Sequence, residues 1–264
     1  MNIDRELQPG RWAVALLLVL GGLLNTGCAT VPAGEPPSHD PWERMNRQVF
    51  EFNEVVDRLA VKPAAQIYQA VVPAPLRSGV RNFFGNLGDF WTAGNLMLQA
   101  KPRQSLEMGM RAGVNTVFGV GGLLDPADEL GLERFTVEDF GQTLGYWGLK
   151  SGPYLVLPFL GPNTLRDTLG LLLESRDSSI NHVWREPRYR NAANLLNLLS
   201  IRVDLLNASR VLDQIALDKY VLLRDAYLAR RKSQLYDGNV PDGDETTPTP
   251  APYEALLQRD ETLK

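Results

Sequence analysis

The stretch EDFGQTLGYWGLKSGPYLVLPFLGPNTLRD, Glu138 to Asp167, decides how the rest of the chain is read. Its centre, Gly141 to Pro162, is apolar enough to be buried, yet it holds five glycines and three prolines. Those two residues disfavour a helix interior more than any others. The chain on both sides reads as helix. Broken, greasy backbone inside a helical protein is expected where the chain must bend or meet another backbone closely. The glycines then serve as hinges and close-approach points, and Pro153, Pro158 and Pro162 as fixed bends.

Outward from that stretch, spacing of three and four residues dominates. Asp40 is a candidate N-cap, with Pro41 at the first helical position and Glu43 at the third. Trp42, Met45, Val49, Phe52, Val56 and Leu59 then form one apolar helix face, and Pro63 limits the helix. Pro73 and Pro75 mark a connection. A second helical region covers about Leu76 to Ala100, and Pro102 opens a third to about Phe118. In the third, Gly109 and Gly113 either admit a close helix neighbour or are merely tolerated. Gly119 to Gly131 reads as a loop. Thr164-Leu165-Arg166-Asp167 resembles a capping box opening a helix to near Ser175. Tyr189 to Lys232 carries the strongest helical periodicity, spread over two helices. No segment sustains two-residue alternation, so the fold class is mostly α.

The ends read differently. Trp12 to Leu24 is an unbroken apolar run of 13 residues after a polar start. That is short of the ~20 residues a membrane span needs and suits the core of a signal peptide. The chain's single Cys follows at Cys28, directly after Gly27. This resembles a bacterial lipobox, with Asn25 standing where Leu is usual, and Ala29 resembles an outer-membrane sorting signal. Residues 1–27 are thus expected to be a signal peptide, 28–39 an acylated Pro/Gly-rich tether, 40–236 the helical domain and 237–264 an acidic disordered tail. The last 28 residues carry seven acids and two bases, while the whole chain is at −4. A near-neutral body with an acidic tail argues against a nucleic-acid partner.

Catalytic signals are missing. Ser151 sits one residue off a nucleophile elbow and lacks its strand-then-helix context. The two histidines, His39 and His182, are too far apart in sequence to suggest a metal cluster, and no cofactor motif is found. Gly119-Val120-Gly121-Gly122 follows a helical pattern rather than a strand. Glu138-Asp139 is a carboxylate pair, a pattern more often a solvated face or a cap than an acid–base site.

Five segments carry a family resemblance: DPWERMNRQVFEFNE (Asp40–Glu54), GVRNFFGNL (Gly79–Leu87), NTVFGVGGLLD (Asn115–Asp125), the Glu138–Asp167 stretch and KYVLLRDAYLARRK (Lys219–Lys232). Their types and order resemble the VacJ/MlaA lipoproteins over about residues 40–232. The resemblance implies a helical ring-like single domain lying in the outer membrane of a Gram-negative bacterium, lipid-anchored on the periplasmic side, with an amphipathic central channel. It implies a non-enzymatic function. Phospholipids misplaced in the outer leaflet would be removed and handed to a periplasmic lipid-carrier protein of an MCE-type transport system, with trimeric porins as further partners. The alternative is a non-transporting scaffold lipoprotein. The resemblance also implies a pore-side helical hairpin from about Val137 to about Arg202. Phe52, Asn53, Gly141, Leu144, Gly145 and Tyr146 are its channel-side candidates. Arg81, Lys150 and Arg166 are candidate head-group contacts, against solvated or porin-facing positions. Trp42, Phe83, Phe84, Trp91, Tyr146, Trp147, Tyr154 and Trp184 are candidates for interfacial anchoring or for ordinary core packing.

Overall fold

The computed structural model describes residues 39–177 and 186–240. Cys28, the segments flanking it, Trp184 and the acidic tail from residue 241 lie outside the described residues. The elements are α1 (Glu43–Val56), a π-helical turn (Asp57–Val61), α2 (Lys62–Val71), α3 (Ala74–Leu98), α4 (Pro102–Phe118), the one-turn α5 (Pro126–Glu129) and α6 (Phe140–Tyr146). A hairpin of β1 (Tyr154–Leu157) and β2 (Gly161–Thr164) follows, then α7 (Leu165–Asp177), α8 (Pro187–Ile215) and α9 (Lys219–Leu235).

Two sequence expectations change at the first helix. Asp40 does not cap it. Helix α1 begins at Glu43 without a side-chain cap, and Asp40 is fully buried instead. Its carboxylate accepts from Asn46 Nδ2 at 2.8 Å, the Tyr220 hydroxyl at 2.5 Å and Arg224 at 3.2 Å, which ties the chain entry to α9. Nor does Pro63 stop the helix. The π turn carries the chain from α1 into α2 with helical dihedrals throughout, and Lys62 donates its N–H to the Asp57 carbonyl. Pro63 falls in the first turn of α2, where its missing N–H is harmless.

The elements form a closed circuit of neighbours. Helix α8 packs on α2 and α3, α3 on α6, α6 on α9, and α9 on β2. The hairpin then joins β1 to α1, and the π turn returns the chain to α2. Helices α3 and α4 form an antiparallel pair, and α6 pairs closely with α7.

Burial within this circuit is inverted relative to a water-soluble domain. On α3 the buried stripe is Asn86, Asp89, Thr92, Asn95 and Leu96; on α4 it is Ser105, Met108, Arg111, Ala112 and Asn115. Arg111 lies between Asp89 and Asp125, and Asn115 donates to Asp125 at 2.9 Å. Large apolar side chains point outward, with Val117 and Phe118 each 73% exposed. Most of the apolar face read on the first helix is also outward: Trp42, Met45, Phe52 and Leu59 are exposed, Val49 and Val56 are half-buried, and Asn46 is the residue α1 buries. A small apolar core survives where Tyr154, Val156 and Tyr220 meet, flanked by Val49, Phe50 and Tyr227. Among the described residues no helix is long and apolar enough to cross a membrane.

Candidate functional site

The Gly/Pro-rich stretch resolves into four joints. Helix α6 is capped by Asp139, whose carboxylate accepts from the Gln142 N–H at 2.8 Å. It ends in a Schellman motif: Gly148 N–H donates to Gly145 O at 2.9 Å and Leu149 N–H to Leu144 O at 3.0 Å, with Gly148 at φ +95°. The hairpin follows, pairing Tyr154 with Thr164 and Leu157 with Gly161. Thr164 Oγ1 then accepts from the Asp167 N–H at 3.2 Å, which opens α7 as the capping pattern anticipates. Its two strands are the feature that the residue pattern hides. Each is four residues long, and β2 reads Gly-Pro-Asn-Thr, a sequence depleted in strand formers.

A two-stranded hairpin is marginal by itself, so something must hold it. Two asparagines of α1 do. Asn46 Nδ2 donates to Tyr154 O at 3.1 Å and its Oδ1 accepts from Val156 N–H at 2.9 Å. Asn53 Nδ2 donates to Leu157 O at 2.9 Å and its Oδ1 accepts from Phe159 N–H at 2.8 Å. Each amide thus stands in for a neighbouring strand. The spacing matches: seven helical residues rise about 10.5 Å, and three strand residues about 10 Å. Phe159 at the hairpin tip has φ 64°, uncommon for a residue with a side chain, and is held by Asn53 and by edge-to-face contact with Phe52 at 5.3 Å. Replacing Asn46 by Ala strands a buried N–H and carbonyl of β1. An expected loss of about 1–3 kcal/mol in urea unfolding of the detergent-solubilised protein checks the joint, and Asn53→Ala should cost less because that residue is half-exposed.

Helices α6 and α7 meet through glycine. A Cβ on Gly170 would lie 2.5 Å from Gly141 N, and one on Gly141 would lie 2.7 Å from Asp167 Oδ1. At Gly145 it would meet Arg166 Nη1 at 2.6 Å and Leu235 Cδ1 at 2.8 Å. Arg231 of α9 locks this contact, donating to Asp139 at 2.5 and 2.9 Å and to Asp167 at 3.0 and 2.7 Å. The Tyr227 hydroxyl donates to Asp167 at 2.8 Å. Burial alone would raise the Asp167 carboxyl, but hydrogen bonds and charge from Arg231, with Arg166 adding to them, hold it below the ordinary carboxylate range. Glu138, by contrast, is pushed up by burial and accepts from Gln99 at 2.9 Å. The adjacent carboxylates are therefore a structural acceptor and a helix cap.

The site residues expected from the family resemblance fall into separate places. Phe52 and Asn53 hold the hairpin tip; Gly141, Gly145 and Arg166 come together between α6 and α7. Leu144 is half-buried, while Tyr146 and Lys150 are exposed. Arg81 is exposed and pairs with Asp204 at 3.2 Å. Arg166 is only 3% exposed and bonds Asp167 at 3.1 Å, so its guanidinium serves the α6–α7 contact rather than an outside ligand. Between Val137 and Arg202 the described chain holds α6, both strands, α7 and the first half of α8, so the segment is not wholly helical. Tyr154 packs in the core, Trp91 donates to Glu174 at 2.9 Å, and Trp42, Tyr146 and Trp147 are exposed. Gly109 and Gly113 face open space, which favours the tolerated reading for them.

Two cavities flank α8. One, of about 500 Å³, is apolar, with Phe83, Phe84, Leu123 and Leu196 in its wall. The other, of about 600 Å³, is amphipathic, with Leu205, Leu212 and Leu223 set against charged residues from α1, the π turn, α8 and α9. Leu196 and Leu205 are about 2.5 helical turns apart, so the cavities use opposite faces of α8. Arg202 donates from Nε and Nη2 to Asp57, each at 2.7 Å, and Lys219 binds Glu54 and, at 2.8 Å, Asp213. Residue patterns did not single out this cavity, because its charges come from positions 54–62 and 202–219, far apart along the chain.

Comparison with known proteins gives a consistent result. The family model described as MlaA lipoprotein matches residues 38–234. The intermembrane phospholipid transport system lipoprotein MlaA of Shigella flexneri is 33% identical over 246 residues, 92% of this chain and 94% of that protein. The protein of that name from Escherichia coli K12 has the same identity and coverage. That of Haemophilus influenzae is 29% identical over 88% of this chain and 94% of its own. A solved structure from work on the structural basis for maintenance of bacterial outer membrane lipid asymmetry is 31% identical, with TM-score 0.65, covering 76% of this chain and 99% of that one.

Proposed function

The chain belongs to the MlaA lipoprotein family, and on that footing we propose that it moves phospholipids within the bacterial envelope. It would withdraw lipids misplaced in the outer leaflet of the outer membrane and pass them to a periplasmic carrier of an MCE-type system, beside trimeric porins. Residues 1–27 would direct export and acylated Cys28 would anchor the body, with 28–39 as tether and 237–264 as an acidic tail.

The inverted burial carries this reading. Polar side chains close on each other inside, and apolar ones such as Phe118, Val117 and Leu59 face outward. That distribution suits a body set in hydrocarbon, where the internal polar groups must be satisfied by one another. Helices lying in a leaflet need no full-length apolar run. A lipid head loses water when it enters hydrocarbon, and a cavity with charged and leucine walls offsets that loss. The process makes and breaks no covalent bond.

A photo-crosslinking residue at Leu212, inside the amphipathic cavity, tests the proposal in cells. Phospholipid adducts several-fold above those from the same residue at Glu254 in the tail are expected. Labelling equal to the tail control would leave a scaffold and remove the transporter.

A further inference from the structure

The amphipathic cavity contains an ion-pairing imbalance. Its wall holds three carboxylates, Glu54, Asp57 and Asp213, and four cations, Arg58, Lys62, Arg202 and Lys219. Arg202 is committed to Asp57, and Lys219 to Glu54 and Asp213. Arg58 and Lys62 form no ion pair among the described residues, although both border the cavity. The cavity is left at one net positive charge.

We propose that Arg58 and Lys62 form a phosphodiester-binding subsite, which takes the head-group phosphate of a phospholipid at the rim of this cavity. The proposal rests on the lipid-transport reading above and names the side chains that would read the lipid.

Three observations support it. The two cations lie four residues apart, one on the π turn and one directly after it. They are thus about one helical turn apart, on the side of the helix that borders the cavity. Single π turns inside α-helices are frequent at functional sites. Next, Lys62 is half-buried and near enough to Asp213 to act on its charge, but Lys219 already pairs with that carboxylate, so the Lys62 ammonium gains from an incoming anion. Last, the opposing wall is Leu205, Leu212 and Leu223, which suits an anion with a greasy body and gives nothing to a hydrated ion. One phosphodiester, at −1, neutralises the cavity. The three carboxylates are already engaged, so the site is expected to read the phosphate rather than an ammonium beyond it.

The test uses the full-length acylated protein in detergent and two fluorescent ligands with the same chains, a phosphatidylglycerol and a diacylglycerol. Arg58→Gln/Lys62→Gln should weaken phosphatidylglycerol binding by about tenfold or more, because two charge-assisted contacts are lost. Diacylglycerol binding should stay unchanged. The swap Arg58→Lys/Lys62→Arg should keep phosphatidylglycerol binding within about threefold, since it keeps both charges. Equal weakening of both ligands would show a packing effect and overturn the subsite, as would no weakening. Inorganic phosphate is the third probe. Displacement of phosphatidylglycerol by low-millimolar phosphate would mark a free-phosphate site and also overturn it. A wild-type protein that binds neither lipid would bring down the transport reading itself, and the subsite with it.

Discussion

Arg231→Ala should destabilise the protein by about 3–5 kcal/mol, because it removes the main counter-charge of the buried Asp167, leaving it only Arg166, and breaks the Asp139 pair as well. Arg231 holds Asp139 and Asp167, residues 92 and 64 positions away, and so fastens α9 to the start of α6 and of α7. Asp167 has 5% of its side chain exposed, so water cannot substitute. The pH dependence gives the prediction its sign. Arg231 keeps the folded Asp167 below its ordinary value, so this stabilisation is present above the unfolded pKa and lost as pH falls through the folded one. In the variant burial acts with less opposition and raises Asp167. The cost of the substitution should therefore be largest at neutral pH and shrink on acidification. Adding Asp167→Asn should recover part of the loss at pH 7, since the uncompensated charge goes with it. Thermal unfolding of the four proteins of that cycle at pH 7 and pH 4 measures all of this. A pH-independent penalty would mean that Arg231 contributes packing and not charge.

Gly170→Ala should be nearly as damaging, and its effect should reach the cell. The added methyl would sit 2.5 Å from Gly141 N and 2.8 Å from Gly141 Cα, both backbone atoms. Neither can swing aside as a side chain does, so α6 and α7 must separate. Overpacking of this kind costs roughly 3 kcal/mol, at the upper end of the usual range. Separation would also strain the Arg231 lock, because Asp139 and Asp167 lie on the two sides of the same contact. The barrier to detergent and EDTA should fall toward that of a strain lacking the protein, at normal protein levels or with reduced accumulation. Gly145→Ala provides the graded comparison. Its methyl meets the ends of Arg166 and Leu235 side chains, which can move, so most function should persist. An intact barrier in Gly170→Ala with normal accumulation would show that the α6–α7 contact has room the structure does not display.

The helical fold was readable because its boundaries are written in local chemistry. Pro102 at the start of α4, the Thr164 cap on α7 and the leucine periodicity of α8 and α9 act within a few residues. What periodicity cannot tell is which side of a helix faces inward. Trp42, Met45, Phe52 and Leu59 form an apolar stripe that a water-soluble protein would bury, and here it lies outside. The hairpin escaped notice because its stability lies in Asn46 and Asn53, about a hundred residues away, and not in strand-forming residues. The family resemblance points to Asn53 and not to Asn46, though two asparagines seven apart on one helix are a visible signal. Nothing local to Asp139, Asp167 or Arg231 announces that they meet. Arg166 reads as a free cation in sequence because only the fold buries it and sets Gly145 against its guanidinium.

The asparagine joint makes this protein unequally tolerant of change. The hydrogen bonds of Asn46 and Asn53 go to backbone amide and carbonyl groups of β1 and of Phe159 beyond it, so they do not depend on which side chains Leu155 and Leu157 carry. Substitutions there are free to accumulate as lineages diverge. Length is another matter. One residue inserted between the two asparagines would rotate Asn53 by about 100° away from the strand and shift it along the axis by about 1.5 Å. Those two positions can thus drift while the ruler stays fixed, and related chains should vary at Leu155 and Leu157 long before they vary at the core residues Tyr154 and Val156 or in the seven-residue step of α1.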